Sequence, residues 1–162
     1  MNNERQAEMK SFVEEVGIAF EQNGLPRMAG RILGWLMISY PPYQTTGEME
    51  EALMASKGSI STMTRLLIRI GLIERLSLLG QRRDYFRIKP GASYQLLKDS
   101  LDRATAFRQL IEHGLELIEG KTHFNRQWLE EIYDMYAFFE REFPALLKRW
   151  EQERKGGKLQ VR

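Results

Sequence analysis

Two helix starts lie eleven positions apart, at Thr45 and Ser56, and a helix stop follows at Gly71. Thr45, with Glu48 three places later, has the form of a capping box, in which a hydroxyl and a carboxylate satisfy each other's backbone donors. It opens a short helix carrying Met49, Ala52 and Leu53. A tight turn at Met54 and Ala55 then delivers Ser56, a favoured N-cap, to a second helix that reaches Ile70. Glycine takes a left-handed conformation without steric cost, so Gly71 closes that helix. Two β-type stretches follow, 72–76 and 85–88, with Gly80 near the tip of their connection, and together they predict a hairpin. A short capped helix, a tight turn, a second helix and a hairpin make the layout of a winged helix-turn-helix.

The flanks are helical. Met9, Phe12, Val13, Val16, Ala19 and Phe20 recur at helical spacing, which predicts an amphipathic helix ending near Asn23 and Gly24. Pro26 suits the first turn of the next helix, expected from Arg27 to about Tyr40, apolar on nearly every side, buried, and stopped by Pro41 and Pro42. Beyond Gly91, Leu97, Leu101, Ala104, Arg108, Ile111, Leu115 and Ile118 alternate in spacings of four and three, a coiled-coil-like seam assigned to dimerisation. A last helix sets Trp128, Ile132, Met135, Phe139, Leu146 and Trp150 on one side, and Pro144 should kink or divide it near Phe143. The expected fold class is mainly α with a small β-hairpin. The expected organisation is an N-terminal packing or dimerisation helix over 1–24, a winged helix-turn-helix over 25–91, dimerisation helices over 92–150 and a mobile basic tail over 151–162.

With 162 residues the chain has room for one compact domain or a small domain with helical extensions, not for two catalytic domains. Hydrophobic residues at 43% and charged residues at 28% exclude disorder of the whole chain. The longest apolar run, Ile32 to Tyr40, falls far short of the roughly 18 to 20 residues of a membrane span. There is no cysteine, which removes disulfides and thiolate chemistry, and the opening MNNERQAEMK has no apolar signal core. The expected setting is therefore the cytoplasm.

A formal net charge of +2 conceals an asymmetry. Residues 56–91 hold eight bases against two acids, Glu74 and Asp84, a local balance of +6 that leaves −4 for the remainder. A basic middle between acidic flanks is the pattern of one segment meeting a polyanion. On the helix after Ser56, the periodicity turns Ile60, Met63, Leu67 and Ile70 inward. The opposite side carries Gly58, Ser61, Thr62, Arg65 and Arg69, so small groups admit close approach to base edges and arginine can bind guanine through two hydrogen bonds. The helix start, with Ser59 where an acid is common, offers free N–H groups and a partial positive charge to phosphate. Arg82 and Arg83 at the hairpin tip are placed to reach a neighbouring minor groove, with Asp84 a candidate to orient one of them.

The segments LPRMAGRILGWLMISYPP, SKGSISTMTRLLIRIGLIER and GQRRDYFRIKPG together resemble the GbsR-type branch of the MarR superfamily of bacterial transcriptional regulators. The resemblance covers about Leu25 to Gly91 and, more loosely, the helices on both sides. It implies a homodimer in which terminal helices pair and two winged domains sit on a pseudo-palindromic operator in double-stranded DNA. It places Ser56, Lys57, Ser59, Ser61, Thr62 and Arg65 on the recognition helix and matches Arg82 to the wing arginine. Many MarR wings carry an acid two residues before that arginine, where this chain has Gly80, and Asp84 is the candidate substitute.

Trp35, Tyr40, Tyr43, Trp128, Tyr133 and Tyr136 admit two readings: a cage for an effector of quaternary ammonium type, such as the founding GbsR-type regulators are associated with, or plain core and interface packing. His113 and Glu116 share a helix face but lack the third ligand of a metal site. No phosphate-binding loop, dinucleotide fingerprint or serine-nucleophile elbow occurs, so neither catalysis nor a cofactor is expected. The reading is a sequence-specific DNA-binding regulator. The alternative is a winged-helix module that docks an acidic protein partner without specific DNA binding.

Overall fold

The second helix of the chain organises what precedes and follows it. In a computed structural model, described for residues 3–120 and 125–155, α1 spans Asn3–Gln22 and α2 spans Arg27–Ile38. Half of α2 is buried, namely Ala29, Gly30, Ile32, Leu33, Gly34 and Leu36. α1 crosses it so closely that a Cβ on Gly30 would lie 2.9 Å from Cα of Gly17 and 3.0 Å from the carbonyl oxygen of Val16. Glu14 of α1 ties the pair together, meeting Arg27 at 3.1 Å and Arg31 at 2.6 Å. Pro26 is the N-cap of α2 rather than a residue of its first turn. The helix also ends before Tyr40: Ser39 is already extended, and a residue that precedes proline, as Tyr40 does, is pushed out of the helical region.

β1 (Gln44–Thr45) leads into α3 (Thr46–Leu53), and α4 spans Lys57–Arg69. The capping box forms, with the Glu48 backbone N–H donating to Thr45 Oγ1 at 3.2 Å and the Thr45 N–H to Glu48 Oε2 at 2.6 Å. Met54 takes the left-handed turn at φ 48°, Ser56 Oγ accepts from the Ser59 N–H at 3.3 Å, and Gly71 closes α4 at φ 76°. Strands β2 (Ile73–Ser77) and β3 (Asp84–Ile88) pair antiparallel, with Glu74 opposite Arg87 and Ser77 opposite Asp84. β1 adds to the free edge of β3, so the hairpin is part of a three-stranded sheet in the order β1-β3-β2. Ile32, Met49, Ile60, Leu67, Leu72 and Ile73 form the fully buried centre.

The chain divides into two compact units, Met1–Gln95 and Leu96–Arg162. The second is made of most of α5 (Ala92–Leu117) and all of α6 (Arg126–Lys155). Arg108, from the expected seam, is held by Glu140, which hydrogen-bonds it from α6, and by Glu112 at 3.0 Å; these contacts raise its pKa above the ordinary arginine value, the Glu140 hydrogen bond most. α6 continues unbroken through Pro144, so the expected division does not occur. It also runs to Lys155, so the first residues of the expected mobile tail are helical, and 156–162 lie outside the described residues. Among the described residues no helix is long and apolar enough to cross a membrane.

Candidate nucleic-acid interface

α4 is held from below by apolar packing and from its start by Ser56. Its inward line is Ile60, Thr64 and Leu67, with Met63 and Ile70 only half-buried. Thr64 departs from the expected face, and its hydroxyl escapes the cost of burial by donating within the helix to the Ile60 carbonyl at 2.9 Å. The outward line is as the periodicity predicts, with Lys57, Gly58, Thr62, Arg65 and Arg69 exposed and Ser59 and Ser61 half-exposed. Nothing surrounds a Cβ placed on Gly58. Arg65 leans back along the helix, its Nη2 3.5 Å from the Thr62 hydroxyl.

The wing tip, residues 78–83, turns at Gly80 (φ 77°) with the Gln81 N–H donating to the Leu78 carbonyl at 3.0 Å. Arg82 and Arg83 are exposed there. Asp84 does not orient either of them. It pairs with Arg75 across the hairpin at 3.3 Å, because the β2–β3 register sets residue 84 diagonally against residue 75. Glu74 is consumed in the same way by Arg87, directly opposite, at 2.6 Å.

Both acids of the basic segment are thus spent on strand arginines. Among the described residues, no ion pair reaches Lys57, Arg65, Arg69, Arg82, Arg83 or Lys89. Lys89 was not among the sequence-predicted contacts. Its signal was in the chain, as a base left over once Glu74 and Asp84 are matched to their partners, but matching them requires the strand register.

The aromatic residues weighed as a cage fall in two units. In the first, Trp35 Nε1 donates to Gln44 Oε1 at 3.3 Å, Tyr43 packs edge-on against Tyr85 with ring centroids 5.4 Å apart, and Tyr40 is exposed. In the second, Tyr136 packs on Phe107 at 5.1 Å, the Tyr133 hydroxyl lies 3.4 Å from Glu112, and Trp128 is exposed. His113 Nδ1 lies 3.4 Å from Glu116, the same-face pair expected from their spacing.

The chain as a whole is similar to known transcriptional regulators. A model of the MmpR5-like MarR family of transcriptional regulators matches residues 91–153. The HTH-type transcriptional regulator MmpR5 of Mycobacterium tuberculosis is 37% identical over 145 residues, 90% of this chain and 88% of that protein. Among solved structures, one described as a transcriptional regulator is similar at TM-score 0.71 and 36% identity, covering 90% of this chain and 99% of that one. These matches name the superfamily that the sequence resembles and do not name its GbsR-type branch. A winged helix-turn-helix whose relative is this similar over nine-tenths of the chain belongs to the MarR family of transcriptional regulators.

Proposed function

We propose that this DNA-binding regulator works as a homodimer on a pseudo-palindromic operator, each protomer laying α4 in a major groove and the wing in the adjoining minor groove. The observation that carries the reading is the destination of Glu74 and Asp84. With those acids neutralising Arg87 and Arg75, the positive charge left over stands on α4, on the wing tip and just past β3. In this reading Ser56, Lys57, Gly58 and Ser59 present the helix start to a phosphate. Ser61, Thr62, Arg65 and Arg69 face the base edges, and Arg82, with Arg83 beside it, enters the minor groove.

Dimerisation rests on the apolar side chains that one chain leaves exposed. α6 has no buried residue, and Trp128, Met135, Phe138, Phe139 and Leu146 are each about half exposed or more, as are Leu110 and Leu117 of α5. A second copy is the partner that two-fold operators require. Like other members of a family of transcriptional regulators, the protein acts by binding rather than by catalysis, and its place is the cytoplasm, with the DNA. Release by a small effector belongs to the same reading. The aromatic residues lend a quaternary ammonium ligand no support within either unit, since Tyr43 and Tyr136 pack on other rings and Trp35 is hydrogen-bonded.

The test is selection of bound sequences from a random duplex library at near-physiological salt. The expected result is an inverted repeat whose half-sites lie about one helical turn apart, roughly 10 base pairs. Undiminished binding by an Arg65→Ala, Arg82→Ala double variant overturns the reading. A folded, dimeric protein that selects no sequence and instead captures an acidic protein would show the module reading to be the right one.

A further inference from the structure

In the loop that joins β2 to β3, Leu78 is half-buried, whereas Leu79 is 105% exposed, as open as in an unfolded chain. A lone exposed leucine is ordinary on a protein surface, and exposure by itself assigns it nothing. The setting of this one is not ordinary. The Gln81 N–H donates to the Leu78 carbonyl at 3.0 Å and Gly80 has φ 77°, the features of a four-residue turn with glycine in third place. Leu79 is the second residue of that turn, held at its corner.

The charges beside it are of one sign. No acid lies between Glu74 and Asp84, and those two are engaged by Arg87 at 2.6 Å and Arg75 at 3.3 Å. Arg82 and Arg83 follow the turn, exposed and, among the described residues, reached by no ion pair. An apolar pocket on a protein would satisfy Leu79 but has no need of these cations. A DNA duplex takes both, with phosphates along the groove rim and apolar base faces stacked between them.

The stem beneath the loop is also braced. Ser77 and Asp84 form the last pair of the β2–β3 ladder, and the Arg75–Asp84 ion pair ties the two strands at that end. A side chain that is to part stacked bases needs such a support, because a loop that gave way would yield before the stack did.

We propose that Leu79 is a wedge: with the wing in the minor groove, its side chain enters between two base pairs, unstacks them in part and bends the operator. Leucine is among the apolar side chains that do this in minor-groove architectural proteins, kinking a duplex by about 20 to 90° toward the major groove. Base steps differ in how readily they yield, and pyrimidine–purine steps such as TA and CA yield most easily. Leu79 therefore selects such a step without reading a base edge, a preference separate from that of α4. The inference rests on the docking of the wing proposed above and adds to it the deformation and the step.

The experiment uses the full chain and the duplex that it selects. 2-Aminopurine, whose fluorescence rises on unstacking, replaces one adenine of the half-site at a time, and energy transfer between dyes at the two duplex ends reads the bend. The variants are Leu79→Ser and Leu79→Met, and since Leu79 has no packing to lose, both should melt with the parent. The expected result is a bend in the range above and a fluorescence rise at one pyrimidine–purine step per half-site. Leu79→Ser should abolish both, flatten the preference at that step and lower affinity on the order of tenfold, while Leu79→Met preserves them. No charge is removed, so the salt slope of Leu79→Ser should match the parent's, whereas that of Arg82→Ala should drop by about one. A straight bound duplex, or a bend and fluorescence rise that survive Leu79→Ser, overturns the wedge and leaves DNA binding standing. Selection of no duplex at all overturns the DNA-binding reading, and the wedge falls with it.

Discussion

Asp84, bound to Arg75 at 3.3 Å, neither braces nor screens the wing arginines. Asp84→Ala should therefore free one more cation near the DNA and remove one repulsive charge. Affinity should rise, and the slope of log K against log salt should steepen by up to about one unit, read from binding isotherms at several salt concentrations. A fall in affinity would mean that the carboxylate serves Arg82 or Arg83 after all. Arg65 sits exposed in mid-helix with a single weak tie to Thr62. Arg65→Ala should cost about 1 to 3 kcal/mol and relax preference at one base pair if the side chain reads guanine. If it meets only phosphate, the loss should be uniform across sequences and the salt slope should drop by about one. Thr64 shows what periodicity misses at this scale. A hydroxyl reads as polar in any hydropathy pattern, yet one that can donate to the carbonyl four residues back is free to be buried.

At the scale of elements, the α1–α2 crossing is the least forgiving contact. A methyl group on Gly30 would meet backbone on the facing helix at 2.9 to 3.0 Å, and backbone cannot rotate away. Gly30→Ala should destabilise the first unit by about 1 to 3 kcal/mol, seen as a lowered Tm, whereas Gly58→Ala, with open space around it, should change stability by no more than a few tenths to about 1 kcal/mol and leave the Tm unchanged or slightly raised. The helices and their caps were legible in the sequence because their causes are local: Thr45 with Glu48, Ser56, and Gly71 each act within one turn. So was the outward face of α4, from Lys57 to Arg69. β1 was not legible, since two residues carry no periodicity and become a strand only by pairing with β3, some forty positions on. The partner of Asp84 was hidden for the same reason, because it depends on hairpin register. The division expected at Pro144 failed from the other direction. A proline inside a helix removes one hydrogen bond, and a helix of 30 residues retains enough others to continue through it.

For the molecule as a whole, the second unit leaves large apolar side chains exposed on a single chain, the surface on which the proposed dimer rests. Phe139 is 51% exposed and Phe138 52%, on a helix with nothing buried. Phe139→Glu should convert a dimer to a monomer in sedimentation equilibrium and reduce operator binding at least tenfold. The first unit should stay folded, because its core of Ile32, Met49 and Leu67 lies wholly within it. A variant that stays dimeric would place the interface elsewhere. The unpaired bases have a practical consequence too. With a formal charge of +2, the protein should elute early from a cation exchanger if charge were spread evenly over it. The free cations of residues 56–91 are gathered on one helix, one loop and the strand end beyond it, so immobilised heparin should retain the protein to much higher salt, and extracts not treated with nuclease should yield it with absorbance at 260 nm that a wash in strong salt removes.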